Sequence, residues 1–144
     1  EHHLGQPRHI LWEVHRLPGI TEQDLDAAWQ TLLGPGCVGL QRMGGQGVLS
    51  AGEPITVQPA GTAETTGRLL CVVGTTLDAV LPGQTDIPED RIYMRLSVHA
   101  HGEEGSAWIW MAGWGDAGAR ALDRFRRPMA LVAAHMRELQ GGGV

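Results

Sequence analysis

The chain has 144 residues, 42% of them hydrophobic and 19% charged, with a formal net charge of −5. This composition excludes a disordered chain, and no apolar run approaches the roughly 20 residues that cross a bilayer as a helix. All 11 basic residues are arginines, and the acidic excess argues against nucleic acid as a partner, because phosphate binding needs a basic surface.

The length fits one domain with a real core. Glu1, His2 and His3 read as a tag remnant. Residues 1–8 are expected to form a disordered start, 9–140 a single domain and 141–144 a flexible tail. No signal peptide is visible, and the cytoplasm is the expected compartment.

From the N-terminus, His9 to Leu17 is rich in β-formers and stops at Pro18-Gly19, which predicts a strand. Ile10, Trp12 and Val14 make its cleaner apolar face and are expected to point inward. Thr21 can cap a helix carrying Glu22 and Asp24 in its first turn and a stripe of Leu25, Ala28, Trp29, Leu32 and Leu33. Gly34-Pro35-Gly36 ends it. The glycines at 36, 39, 44, 45 and 47 leave only a short helix or irregular turn, followed by a strand near Gly47–Ser50. Pro54–Gln58 is a short strand candidate.

Thr66–Thr75 is nearly continuously apolar, so both of its faces are expected to be covered, with Cys71 a buried small hydrophobe. Leu77–Leu81 continues the sheet, and Pro88–Asp90 is a loop. Ile92, Met94, Leu96, Val98 and Ala100 alternate with Tyr93, Arg95, Ser97, His99 and His101, the pattern of a half-buried strand. A hairpin turn at Gly102–Gly105 leads to the strand Ser106–Gly113. Finally Leu122, Phe125, Met129, Val132, Met136 and Leu139 recur every three or four residues, which places them on one face of a long amphipathic helix. Pro128 interrupts that helix and is expected to kink it.

Adjacent strands with helices segregated at the ends predict an α+β fold with a curved, largely antiparallel sheet. The element order, the helix DLDAAWQTLL with its central tryptophan, and the passage GWGDAGARALDRFRRPM from last strand to last helix resemble the START-like superfamily, the helix-grip fold of polyketide cyclases and small lipid-binding proteins. The resemblance implies that the C-terminal helix grips the sheet and that a hydrophobic pocket opens between them.

On that expectation the ligand-lining residues come from Trp12, Trp29, Met94, Trp108, Trp110, Met111, Phe125, Met129 and Val132. Trp108/Trp110 and Ile109/Met111 occupy opposite strand faces, so only one pair can face inward. The expected partner is a small hydrophobic molecule, lipid-like or flat and aromatic, with Pro128 loosening the helix to let it in. The alternatives are a cyclase- or dehydratase-like enzyme using the same pocket, and a cavity-free module that dimerises or binds a protein through its aromatic strand. An inward-facing His99 or Arg95 would favour the enzyme.

No catalytic motif is present, and no cofactor is expected. His99 and His101, or His9, Glu13 and His15, share strand faces, but no spacing fixes a complete metal ligand set. Arg95 is expected to be an exposed sheet residue paired with Glu13 or Glu104.

Overall fold

The computed structural model describes residues 9–45, 47–59, 64–81, 91–102 and 104–141. The first strand, β1, runs His9–Pro18; a 3-10 turn, Glu22–Asp24, leads into helix α1, Leu25–Leu33. Thr21 and Asp24 form a capping box, which satisfies backbone N–H groups at the start of this turn. Strands β2 (Leu40–Arg42), β3 (Pro54–Val57), β4 (Thr65–Val73), β5 (Thr76–Leu81), β6 (Ile92–His101) and β7 (Glu104–Gly113) follow, then helix α2, Gly115–Gly141.

All seven strands join one antiparallel sheet in the order β1-β7-β6-β5-β4-β3-β2. The chain closes the sheet by laying its last strand between its first and its sixth, and α2 then packs back against β1, β7 and β6. This is the helix-grip arrangement, an α+β fold with a curved sheet. The strand expected near Gly47–Ser50 is instead β2, seven residues earlier. The Val38 carbonyl and Gly39 hold Gln58, and Gly39 sits at φ 65° with so little room that a Cβ there would lie 2.4 Å from the Gln58 carbonyl oxygen. Pro88–Asp90 lies outside the described residues.

The face of the sheet that meets the helices carries Leu69, Leu77, Leu81, Ile92, Leu96, Ile109 and Met111, each at most 1% exposed. The apolar stripe of α2, Leu122, Phe125, Met129, Val132 and Met136, is buried on them as its spacing predicts. Pro128 is itself buried, and α2 runs through it as one helix.

Two strand faces differ from expectation. In β1 the inward set is Leu11, Glu13, His15 and Leu17, whereas Ile10, Trp12 and Val14 are 49%, 56% and 45% exposed. Register decides this: β1 pairs with β7 so that Leu11 stands beside Met111 and Trp12 beside Trp110, and one face cannot turn without the other. Glu13 and His15 lie on the inner side at the sheet's edge, 3.5 Å from each other, with His15 Nε2 buried and without a hydrogen-bond partner. In β4 only one face is covered. Leu70 and Val73 are 42% and 71% exposed, and Cys71 is exposed as well.

Candidate functional site

The outer face of the sheet, away from α2, carries the unusual chemistry. Its side chains form cross-strand rows fixed by the pairing register. The central row runs Trp12, Trp110, Arg95, Asp78 and Cys71 across β1, β7, β6, β5 and β4. One flanking row is Val14, Trp108, Ser97 and Thr76; the other is Ile10, Ala112, Tyr93 and Val80. A bulge between Leu69 and Cys71 inserts Leu70, so that two successive residues of β4 reach this face. Trp114, just beyond β7, folds its ring edge-on against Tyr93, with centroids 5.2 Å apart.

These rows enclose a groove of about 560 Å³, lined by Trp12, Leu70, Asp78, Tyr93, Arg95, Ser97, Trp108, Trp110 and Trp114, with Ala79 and Met94 as strand positions in its floor. The volume falls in the range of roughly 300–1,000 Å³ that small-molecule sites occupy. Trp12 and Trp108 tilt towards each other at 5.7 Å, and His99 stands edge-on to Trp108 at 6.0 Å. Such offset and edge contacts fix the rings at modest entropic cost, since aromatic side chains have few torsions to lose.

Polar groups in the groove are few and oriented. Arg95 donates Nε–H and Nη2–H to the two carboxylate oxygens of Asp78, at 2.6 and 2.9 Å. That bidentate pair raises the pKa of the guanidinium further, so it stays charged throughout the working range. A guanidinium has five N–H donors, and this pairing uses two. The Ser97 hydroxyl is 3.0 Å from His99 Nε2, and Trp108 donates its indole N–H to the Ser106 hydroxyl at 2.8 Å. The indole Nε1–H of Trp114 is buried without a partner. The groove is therefore apolar in its walls and rich in donors at its polar spots.

Of the residues expected to line a pocket, the structure brings Trp12, Trp108 and Trp110 together here, with Met94 beneath them. It does not bring the others. Met111, Phe125, Met129 and Val132 lie between sheet and α2, at 0%, 8%, 0% and 0% exposure. No water-sized space opens on residues that are 0% exposed, so the pocket expected between sheet and helix is filled at these positions. Trp29 lies on α1 and borders a second cavity, of about 890 Å³, between α1, β2 and the glycine-rich loop after it. Arg42 and Glu53 clamp that loop. Arg42 donates to Glu53 at 2.7 Å, the Ser50 N–H donates to the same carboxylate, and the two bonds pull its pKa below the ordinary carboxylate range. Neither cavity is lined by a residue of α2.

Leu70, Asp78, Tyr93, Ser97 and Trp114 were not among the expected lining residues. Tyr93 and Ser97 were legible, because the hairpin between β6 and β7 fixes Arg95 opposite Trp110 and Ser97 opposite Trp108. Leu70 depends on the bulge, which no spacing announces. Arg95 pairs with Asp78 rather than Glu13 or Glu104; Glu104 instead takes Arg16. Arg95 and His99 both face away from α2. Among the described residues no three histidines, cysteines or carboxylates gather as a metal site, and no described helix is long and apolar enough to cross a membrane.

No family model matches the sequence, and no curated protein matches it. Solved structures do. Protein MLL2253 from Mesorhizobium loti superposes with a TM-score of 0.62 at 11% identity, covering 90% of this chain and 96% of its own. DynU16, a protein of the dynemicin biosynthetic locus, reaches 0.67 at 11% identity; the match covers 94% of this chain and 49% of DynU16. The Aha1 dimer from Colwellia psychrerythraea reaches 0.54 at 10% identity, over 89% of this chain and 94% of that one. The chain thus has the START-like, helix-grip fold, with open cavities of the size that small ligands fill.

Proposed function

We propose that the protein binds a small, flat, hydrophobic molecule in the groove on the outer face of its sheet. The observation that carries this reading is the convergence of four of the five tryptophans, with Tyr93, on one cavity of about 560 Å³. Exposed aromatic surface of that density is costly to leave wetted, at roughly 25 cal/mol per Å² of apolar area. A planar ring system that stacked on Trp12, Trp108 and Trp110 would remove much of it from water. The N–H groups of Arg95 that Asp78 leaves unused favour a ligand bearing carbonyl, phenolate or carboxylate oxygens. Arg95 and Asp78 hold each other in place and supply orientation rather than chemistry, so the role is binding.

Tryptophan fluorescence during titration with planar aromatic acids and quinones tests the proposal. Saturable quenching at one site per chain is expected, weakened roughly tenfold in Trp110→Ala, in keeping with the loss of one aromatic contact. Met129→Leu, a change in the core, is expected to leave the affinity intact. Absence of saturable quenching, or an affinity that follows Met129 and ignores Trp110, would overturn it.

A further inference from the structure

On the outer face of β6, Arg95, Ser97 and His99 follow one another at alternate positions. Ser97 is 4% exposed, and it is the only polar residue among the described buried ones. It stands between Thr76 and Trp108 in its cross-strand row and lines the groove. A hydroxyl in such a wall is costly unless it is hydrogen-bonded. Among the described residues its partner is His99, whose Nε2 lies 3.0 Å from Oγ. His99 itself is outside the groove's lining and open to water. Its ring stands edge-on to Trp108, at 83°, and Trp108 is fixed in turn by its indole N–H bond to the Ser106 hydroxyl. When the neutral imidazole carries its proton on Nδ1, Nε2 accepts the Ser97 O–H. A serine hydroxyl within roughly 2.6–3.2 Å of a base whose ring is held in place is the arrangement of an activated nucleophile.

We infer that Ser97 is a nucleophile and that the groove hydrolyses esters of planar aromatic acids. The inference rests on the binding reading above, with the acyl group as the flat molecule stacked on the tryptophans. The order along β6 sets the base behind the nucleophile and a cation ahead of it, inside the groove. Of the five N–H donors of Arg95, Asp78 takes two, and those left over hold the ester's carbonyl oxygen so that its carbon sits beside Ser97 Oγ. Oγ attacks that carbon while its proton passes to His99 Nε2. The bond from the carbonyl carbon to the leaving oxygen breaks, the leaving oxygen takes the proton from His99, and the acyl group stays on Oγ. A water molecule then gives a proton to Nε2 and its oxygen to the acyl carbon. The acid departs, and Oγ recovers its proton from His99. Ester and water become acid and alcohol, with nothing oxidised or reduced.

The nitrophenyl ester of naphthoic acid tests this, with free naphthoic acid as the binding control. The wild type is expected to release nitrophenol in a burst of one equivalent per chain, and peptide mapping by mass spectrometry to find one naphthoyl group, on Ser97. Ser97→Ala is expected to lose that label, and His99→Gln to slow acylation about a hundredfold, with circular dichroism showing both variants folded. A wild type without an acyl group on Ser97, a label confined to Cys71 or the histidines, or a His99→Gln variant that acylates at the wild-type rate would each overturn the inference. Saturable quenching by naphthoic acid without acylation would overturn it and leave the binding reading standing. Absence of both would overturn the two together.

Discussion

At the scale of single residues, the site is built around a row of four, Trp12, Trp110, Arg95 and Asp78, each on a different strand, which Cys71 continues beyond the groove's lining. The sequence separates Trp12 from Trp110 by most of the chain, and only the β1–β7 pairing makes them neighbours. Cys71 ends that row in the open, while Cys37 is fully buried, and burial alone pushes the Cys37 thiol up to about 11 from its ordinary 9.0. A thiol reagent at neutral pH should therefore label Cys71 and spare Cys37, and label both after unfolding, as intact-protein mass spectrometry would show. The same burial has a pH signature. The folded chain keeps the Cys37 proton longer than the unfolded chain, so the stability this provides is present below pH 9.0 and is lost as pH rises to about 11. Equal labelling of the two thiols in the native protein would contradict the buried placement. Cys71 was expected to be buried because its neighbours are apolar; a run such as LLCVV covers both faces only if something packs on each, and here one face meets solvent.

At the scale of elements, the period-two and period-3.6 patterns placed β1, α1, β5, β6, β7 and α2 closely, although β1 buries the face opposite to the one its pattern offered. The second strand escaped because three residues between glycines carry too little pattern, and its place depends on Gly39 passing close to Gln58. The junction of β7 and α2 is equally strict. A Cβ on Gly118 would lie 2.7 Å from the backbone carbon of Gly113, and one on Gly113 would meet Gly118 backbone at 2.9 Å. Backbone cannot yield as a side-chain tip can, so Gly118→Ala should destabilise the fold by about 1–3 kcal/mol, measured by urea denaturation. A neutral result would mean that the helix start is not held so closely.

Pro128 lies within an unbroken α2. Replacing it with alanine restores a helix donor and gains up to ~3 kcal/mol in propensity; lost ring burial and a freer unfolded chain offset much of this. A net gain of roughly 1 kcal/mol is expected, seen as a melting temperature higher by a few degrees. Ligand exchange at the outer groove should not change, because α2 lines no part of it. Slower exchange in Pro128→Ala would return the site to the space beneath the helix.

At the scale of the molecule, the fold was legible from element order, and the solved structures that share it bear this out. The position of the open cavity was not. Periodicity tells which residues of a strand share a face, but which face meets the helix depends on strand partners far away in sequence. Trp108 and Trp110 offered two equally consistent choices, and the neighbouring Ile109 and Met111 went inside with α2. The central claim is that the ligand face is the outer one. The most direct test is NMR of the five indole N–H groups during titration with a planar aromatic ligand. The account predicts that the signals of Trp12, Trp108, Trp110 and Trp114 shift together and saturate, while that of Trp29 and the methyls of Met129 and Met136 stay still. Shifts at Trp29 and those methionines, with the four outer indoles unmoved, would contradict it.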